Sequence, residues 1–378
     1  MNDKNKIYLS ASHMSGGEQK YIEEAFALNE VSSYGLNITA FENKIASYLG
    51  VDNKAVALSS GTAAIHLSLI LSGVKHGDEV ICQSFTFAAS ANPIMYQGAT
   101  PVFVDSEQET WNMCPIQLER AIKHRIANGK KPKAIIAVHV YGMPAKILEI
   151  VEISKKYKIT LIEDAAEAFG SSYHNQKCGT FGDFGILSFN GNKIITTSGG
   201  GALICKDNKT KEKAIFLATQ AKDRALHYQH SEIGYNYRMS NIAAGIGRGQ
   251  MEVLEKHITL RKNINNFYKN IFEGIDGVSF LATPNSKIVS NHWLTCILVE
   301  DKKTGFSSQD IRKHLAANNV ESRPLWKPMH LQPVFERYLF FGENICGTFF
   351  EKGICLPSSS NLTPFEKDRI KGYLKQFV

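Results

Sequence analysis

The chain has 378 residues, of which 43% are hydrophobic and 21% charged. That balance excludes a disordered chain and leaves material for a large core and two domains. The formal charge of +7 suits an anionic small molecule, but no Lys/Arg block is long enough for a nucleic-acid footprint, and stretches such as NGKKPK read as solvated loop faces.

No apolar run approaches the length needed to span a bilayer, and the polar start MNDKNKIYLS lacks the apolar core of a signal peptide. A cytoplasmic protein with no membrane partner is expected. Seven cysteines are dispersed at 82, 114, 178, 205, 296, 346 and 355 without a C-x-x-C pair. They read as buried free thiols in a reducing compartment, and no metal site is expected.

In chain order, strands are predicted near 55–60 (AVALSS), 79–84 (EVICQS), 100–105 (TPVFVD), 133–140 (KAIIAVHV), 160–166 (TLIEDAA), 184–190 (FGILSFN) and 201–206 (GALICK). Most are β-branched runs with little alternation, as in strands covered on both faces. Helical periodicity between the first five, as in AKILEIVEISKKYK, implies a mainly parallel seven-stranded sheet flanked by helices. The short connection between the last two strands makes that pair antiparallel. From Asn241 one long helical stretch is predicted, bent at its glycines, followed by a strand in HWLTCILVE and a helix in SSQDIRKHLAANN. The expected division is a large domain over 1–250 and a smaller C-terminal α/β domain over 251–378.

Three motifs carry chemistry. SSGTAAIHL is a small-residue turn entering a helix, either an ordinary N-cap or a phosphate cradle of backbone amides with hydroxyls from Ser60 and Thr62. TLIEDAAEAFG ends a strand with Glu163, Asp164 and Glu167, acids that need a cationic or strongly donating partner. SFNGNKIITTSGGG places Lys193 between permissive turns, either as a solvated hairpin lysine or as a Schiff-base former. A phosphate turn, an acid for a ring nitrogen and a lysine for an aldehyde are together the three handles of pyridoxal 5′-phosphate. Phe87, just beyond a strand end in SFTFAAS, is placed to stack on a flat ring or simply to pack.

These blocks, in their order and separation, resemble the DegT/DnrJ/EryC1/StrS sugar aminotransferases, fold type I enzymes that depend on pyridoxal phosphate. The likeness runs from HMSGGEQKYIEEAF through VHVYG, EDAAEAFGS and GYNYRMSNIAAGIG to RPLWKPMH and ICLPSS. It implies that Lys193 forms the Schiff base and that Asp164 meets the pyridine nitrogen. Gly61, Thr62 and Ser188 would bind the phosphate, and Glu167 falls where many members carry glutamine near the ring hydroxyl. Asn236 matches a residue that reaches the phosphate of the neighbouring subunit's cofactor, which implies a homodimer with shared active sites.

Gly199 stands where a glutamate is common. With Glu167, it resembles the subgroup acting on UDP-linked 4-keto-6-deoxy N-acetylglucosamine, with L-glutamate as donor and a UDP-4-amino-4,6-dideoxy sugar for surface glycan or protein glycosylation as product. GDP- or dTDP-linked keto sugars are alternatives, as is a non-catalytic sugar-binding or regulatory relative. A sugar 3-dehydratase is opposed by Lys193, because those relatives commonly carry histidine there.

Arg238, Arg323 and His330 are candidates for the nucleotide, or for structural pairs at the domain junction. His139 reads as a satisfied core histidine. His227, Tyr228 and His230 lie on a loop that could close over the substrate, with no zinc-type spacing. The run SGGG precedes a strand rather than a helix, against a dinucleotide fingerprint.

Overall fold

The computed structural model describes residues 6–378. Its strands begin with β1 (Ala55–Leu58), β2 (Glu79–Gln83), β3 (Thr100–Val104), β4 (Ala134–Val138) and β5 (Thr160–Asp164). A small hairpin, β6 (Ser172–Tyr173) and β7 (Gln176–Lys177), precedes β8 (Phe184–Ser188) and β9 (Gly201–Cys205). Later come β10 (Val278–Phe280), β11 (Ile288–Val289), β12 (Thr295–Val299), β13 (Arg323–Pro324), β14 (Phe340–Phe341) and β15 (Gly353–Leu356).

The main sheet has the order β1-β9-β8-β5-β4-β2-β3-β14. Every pair from β8 to β14 is parallel, whereas β9 runs antiparallel to both β8 and β1. The seven anticipated strands are all in it. The eighth, β14, comes from the C-terminal region and sets Phe340 opposite Phe103. Two residues are too few to leave a period in the sequence.

Continuous apolar runs serve both faces of this sheet. Val80, Cys82 and Ile136 pack into one core, and the alternating Ile81, Val102 and Ile135 into the other. The sheet is flanked by α2 (Leu36–Leu49), α3 (Gly61–Leu71), α4 (Ala88–Tyr96), α5 (Pro115–Ala127), α6 (Ile147–Tyr157) and α7 (Asn208–Ala218), while α1 (Glu18–Ala27) packs chiefly on the helix Asn241–Met251.

The long C-terminal helix of the sequence reading is two helices, α8 (Asn241–Met251) and α9 (Leu254–Ile271). The break falls at Val253, where φ is −119° and ψ is 6°, and not at the glycines. Gly245, Gly247 and Gly249 stay helical because they are a packing surface. A Cβ on Gly247 would lie 2.7 Å from the Phe41 ring, and one on Gly249 would lie 2.8 Å from Glu18 Cα. Their missing side chains let α8 seat against α1 and α2.

A four-stranded antiparallel sheet, β10-β12-β15-β13, forms the smaller unit. Ile264 and Tyr268 of α9 pack onto it, together with Ile311 and Leu315 of the helix Ser308–Ala317. Ile7 joins the same core, with its N–H on Asn319 O at 3.0 Å and its carbonyl accepting from Glu321 N at 2.8 Å. Both ends of the described chain therefore build this unit, and the expected boundary at 250/251 lies in the last turn of α8. Among the described residues no helix is long and apolar enough to cross a membrane.

Two glycine substitutions test the packing of α8. Gly372, at an exposed position of the helix Pro364–Leu374, has nothing within 4 Å of a built Cβ. Gly372→Ala should raise stability by up to about 1 kcal/mol through helix propensity. Gly249→Ala meets backbone, and overpacking of about 1–3 kcal/mol should outweigh the same gain, so stability falls. Urea unfolding of both variants checks the opposite signs.

Candidate active site

The carboxyl ends of β1, β4, β5 and β8 open into a cavity of about 670 Å³, closed from the other side by Trp293 and the segment Arg323–Lys327. An open α/β sheet places its ligand at such strand ends.

Alternation along β5 separates its acids. Glu163 is fully buried and structural: its oxygens accept from the backbone N–H of Gly179 at 2.6 Å and Phe181 at 2.7 Å, and from His139 Nε2 at 2.8 Å. His139 Nδ1 accepts from Ala145 N at 2.9 Å, so this histidine is satisfied in the core. Cys178 lies close enough to make His139, Glu163 and Cys178 a group with ligand atoms within 4.8 Å of one another. Those hydrogen bonds already occupy the histidine and the carboxylate.

Asp164 points the other way and lines the cavity. Its Oδ2 accepts from Ser90 Oγ at 2.7 Å and its Oδ1 from Ala166 N at 3.1 Å. Burial pushes its pKa up, against those two bonds and the more distant positive charge of Lys193. No cation touches it among the described residues, so the carboxylate is suited to a cationic N–H arriving from the cavity.

At the β1 end, Ser60 caps α3: its Oγ accepts from Ala63 N at 3.0 Å and its carbonyl from Ala64 N at 3.2 Å. The amides of Gly61 and Thr62 remain for an anion, beside the hydroxyls of Thr62 and Ser188 on the cavity wall. The glycine run explains how these parts come together. A Cβ on Gly201 would lie 2.4 Å from Gly61 N, so only glycine lets β9 pass the start of α3.

Lys193 lies between these two ends. Its Nζ is 3.3 Å from Glu167 Oε1 and 4.1 Å from the centre of the Trp293 ring. Glu167 Oε2 accepts from Tyr141 N at 2.7 Å. Burial dominates at Glu167 and pushes its pKa up to about 7, despite the nearby ammonium and that N–H bond. Tyr141 adopts a left-handed backbone, with φ 54°, while its hydroxyl accepts from Trp326 N at 2.9 Å. The donor set thus matches a cationic heterocycle with an anionic tail and an electrophilic carbon.

Of the other residues singled out, Phe87 lines the cavity, is 57% exposed and tilts against Trp326 with ring centres 5.8 Å apart. Arg323 reaches the rim but is exposed and held by Glu321 at 2.8 Å. Arg238 pairs with Glu42 and donates to Ala57 O at 3.0 Å, away from the cavity lining. His330 is also outside the lining, bonded to Ser84 Oγ at 2.7 Å and Asn344 Oδ1 at 3.1 Å and stacked on Phe340. Asn236 is exposed and does not line its own chain's cavity. His227, Tyr228 and His230 form part of an exposed loop.

Sequence reasoning missed Ser90, Tyr141, Trp293 and Trp326. Ser90 sat within the quoted SFTFAAS, where its place in the first turn of α4 was a usable signal. Trp293 had none, since it meets the lysine turn across 101 residues of chain.

The family profile for DegT/DnrJ/EryC1/StrS aminotransferases matches residues 13–375. EpsN of Bacillus subtilis (strain 168), named as a pyridoxal phosphate-dependent aminotransferase, is 52% identical over 97% of this chain and 94% of its own. The GDP-perosamine synthase of Escherichia coli O157:H7 is 38% identical over 93% of this chain and 92% of its own. Among solved structures, the PLP form of a protein described as a sugar aminotransferase, Spr1654 of Streptococcus pneumoniae, superposes with a TM-score of 0.88 at 27% identity, covering 98% of both chains. The chain belongs to the DegT/DnrJ/EryC1/StrS aminotransferase family and is a pyridoxal phosphate-dependent aminotransferase.

Proposed function

We propose that this aminotransferase moves the amino group of L-glutamate to the C4 ketone of a UDP-linked 4-keto-6-deoxy N-acetylhexosamine, in a homodimer with shared active sites. One arrangement carries the reading of the reaction: the Lys193 amine lies between Glu167 and Trp293 in a cavity bounded by Asp164 and by the amides of Gly61 and Thr62.

Pyridoxal phosphate, when bound, supplies an electrophilic carbon and an electron-withdrawing ring. In this reading Asp164 holds the ring nitrogen, and Gly61, Thr62 and Ser188 hold the phosphate. Phe87 would stack on the ring, Glu167 would face its hydroxyl, and Lys193 would hold the cofactor between turnovers. Released, Lys193 Nζ removes the proton from the α-carbon of the amino donor and later delivers one to C4 of the sugar. A cationic N–H facing Asp164 would favour its ionised form, against the burial that pushes its pKa up. Trp293, buried with its ring 4.1 Å from the Lys193 amine, shields that amine from water. The exposure of Asn236, outside its own cavity, supports a reach to the partner's phosphate site.

For the sugar, Gly199 lines the cavity with nothing within 4 Å of a built Cβ. That wall is open and uncharged, which supports an N-acetyl substituent. Arg323 at the rim is the residue we assign to the diphosphate. The GDP-perosamine synthase relative favours a second reading, a GDP-linked keto sugar. Product mass analysis with L-glutamate and UDP-, GDP- and dTDP-linked 4-keto-6-deoxy sugars separates the readings. Amination of the UDP-linked N-acetylhexosamine at the highest kcat/KM is expected, and preferential amination of a GDP- or dTDP-linked sugar contradicts it.

Glu167 generates a second prediction. Its folded pKa of about 7 lies above the ordinary value of 4.5, so the folded state binds the extra proton between them. Its protonation supports the fold below about 4.5, and that support is lost as pH rises through 7. In cofactor-free protein, Glu167→Gln should therefore gain stability relative to wild type across this window. Urea unfolding from pH 4.5 to 8 measures the difference, and a pH-independent gap contradicts it.

A further inference from the structure

The turn that carries Lys193 is gripped from outside. Four successive backbone carbonyls in it each face a side-chain donor. Gly191 O accepts from Ser12 Oγ at 2.6 Å, and Asn192 O accepts from Ser10 Oγ at 2.6 Å and Trp293 Nε1 at 2.7 Å. Lys193 O faces Arg261 Nη2 at 3.5 Å, and Ile194 O faces His257 Nδ1 at 3.3 Å. The donors come from the N-terminal segment, from α9 and from the residues before β12. Within the turn, Lys193 N donates to Asn190 O at 3.0 Å.

Arg261 is the member that packing does not explain. It is 1% exposed, and its Nε has no acceptor. No carboxylate among the described residues offsets its charge, and burial pulls its pKa down to about 9. Its Nη1 donates to Trp293 O and its Nη2 to Ser10 Oγ at 3.0 Å. An apolar side chain of similar volume is commonly as stable at such a place, or more so. Stability alone does not call for an arginine here. What the guanidinium adds is a rigid fork of several donors that reaches three separate segments at once. Because the Trp293 ring lies 4.1 Å from Lys193 Nζ, a shift of either segment moves the amine within the cavity.

We propose that Arg261 is a positioning residue whose fork clamps the Lys193 turn, the Trp293 segment and Ser10 into one unit, fixing the Lys193 amine in the cavity. The inference rests on the reading of Lys193 as the cofactor-bearing lysine. His257, one turn earlier on the same face of α9, holds the next carbonyl and acts with it.

Arg261→Met and Arg261→Lys, compared with wild type, test the clamp by thermal midpoint, amide hydrogen exchange over residues 189–197 in cofactor-free protein, and steady-state kinetics. Arg261→Met should keep or raise the midpoint, yet speed exchange in that segment by roughly tenfold or more. It should lower kcat on the order of tenfold to a hundredfold, with KM for the amino donor changing less. Arg261→Lys, which keeps the charge but loses the fork, should recover part of each effect. Native kcat with unchanged exchange in Arg261→Met overturns the proposal, as does activity that falls only in proportion to a lower midpoint. If Arg261→Met does not fold, Arg261→Lys decides: faster exchange confined to 189–197 supports the clamp, and unchanged exchange overturns it. Borohydride reduction and peptide mapping of the wild-type holoenzyme tests the underlying reading separately. A label on a lysine other than Lys193 removes that reading and the catalytic consequence with it, whereas a failed exchange result with the label on Lys193 removes only the clamp.

Discussion

Two buried carboxylates share one ammonium at the end of β5, and that imbalance of charge governs the site. Glu167 takes Lys193 at 3.3 Å, while Asp164 has only hydroxyl and amide donors. A buried carboxylate without a cation costs several kcal/mol even after relaxation. Under the proposed assignment of Asp164 to the cofactor, a cationic ring nitrogen would relieve that cost, and cofactor affinity and ring protonation would then share one origin. The charge imbalance also explains why the acids lie at strand ends: only there does a parallel sheet offer buried backbone beside an open cavity.

Keeping Lys193 in place falls to parts of the chain that are far apart in sequence. The amine projects from a turn, which would be mobile if left alone. Its carbonyls are instead tied to the N-terminal segment, to α9 and to Trp293. Bulky residues in left-handed conformations, Tyr141 with φ 54° and His292 with φ 49°, flank the same cavity wall. Such backbone persists when several bonds over-determine it. Around Tyr141 these are the bonds from its N–H to Glu167 and from Trp326 N to its hydroxyl. The smaller unit thus forms one wall of the active site, and it shares a core with Ile7 from the other end of the chain.

Local signals made the sheet legible. Long apolar runs separated by helical crossovers give parallel strands, and the antiparallel β9 followed from its short connection. The break between α8 and α9 was misplaced because glycine was read as flexible, when in α8 it is a surface for close packing. That Asp164, Glu167 and Lys193 meet at one cavity was legible because ionisable groups at or just beyond the ends of apolar strands demand a chemical reason. Arg238 and His330 illustrate the limit of that logic. A charged residue beside a motif says nothing of whether Glu42 or Ser84 already holds it, and those partners lie 196 and 246 residues away. Trp293 and Arg261 were invisible for the same reason, since their work is done by contacts that only the folded chain creates.

Replacing Asp164 with asparagine isolates the charge without changing the shape of the side chain. In Asp164→Asn, thermal unfolding of the cofactor-free protein should show no loss of stability, because a buried anion without a cation has been removed. The single-turnover rate of the cofactor-loaded variant with an amino donor should nevertheless fall on the order of a hundredfold or more, since a neutral amide cannot hold the ring nitrogen's positive charge. A near-native single-turnover rate in a folded, loaded Asp164→Asn protein would contradict the assignment of that carboxylate to the cofactor.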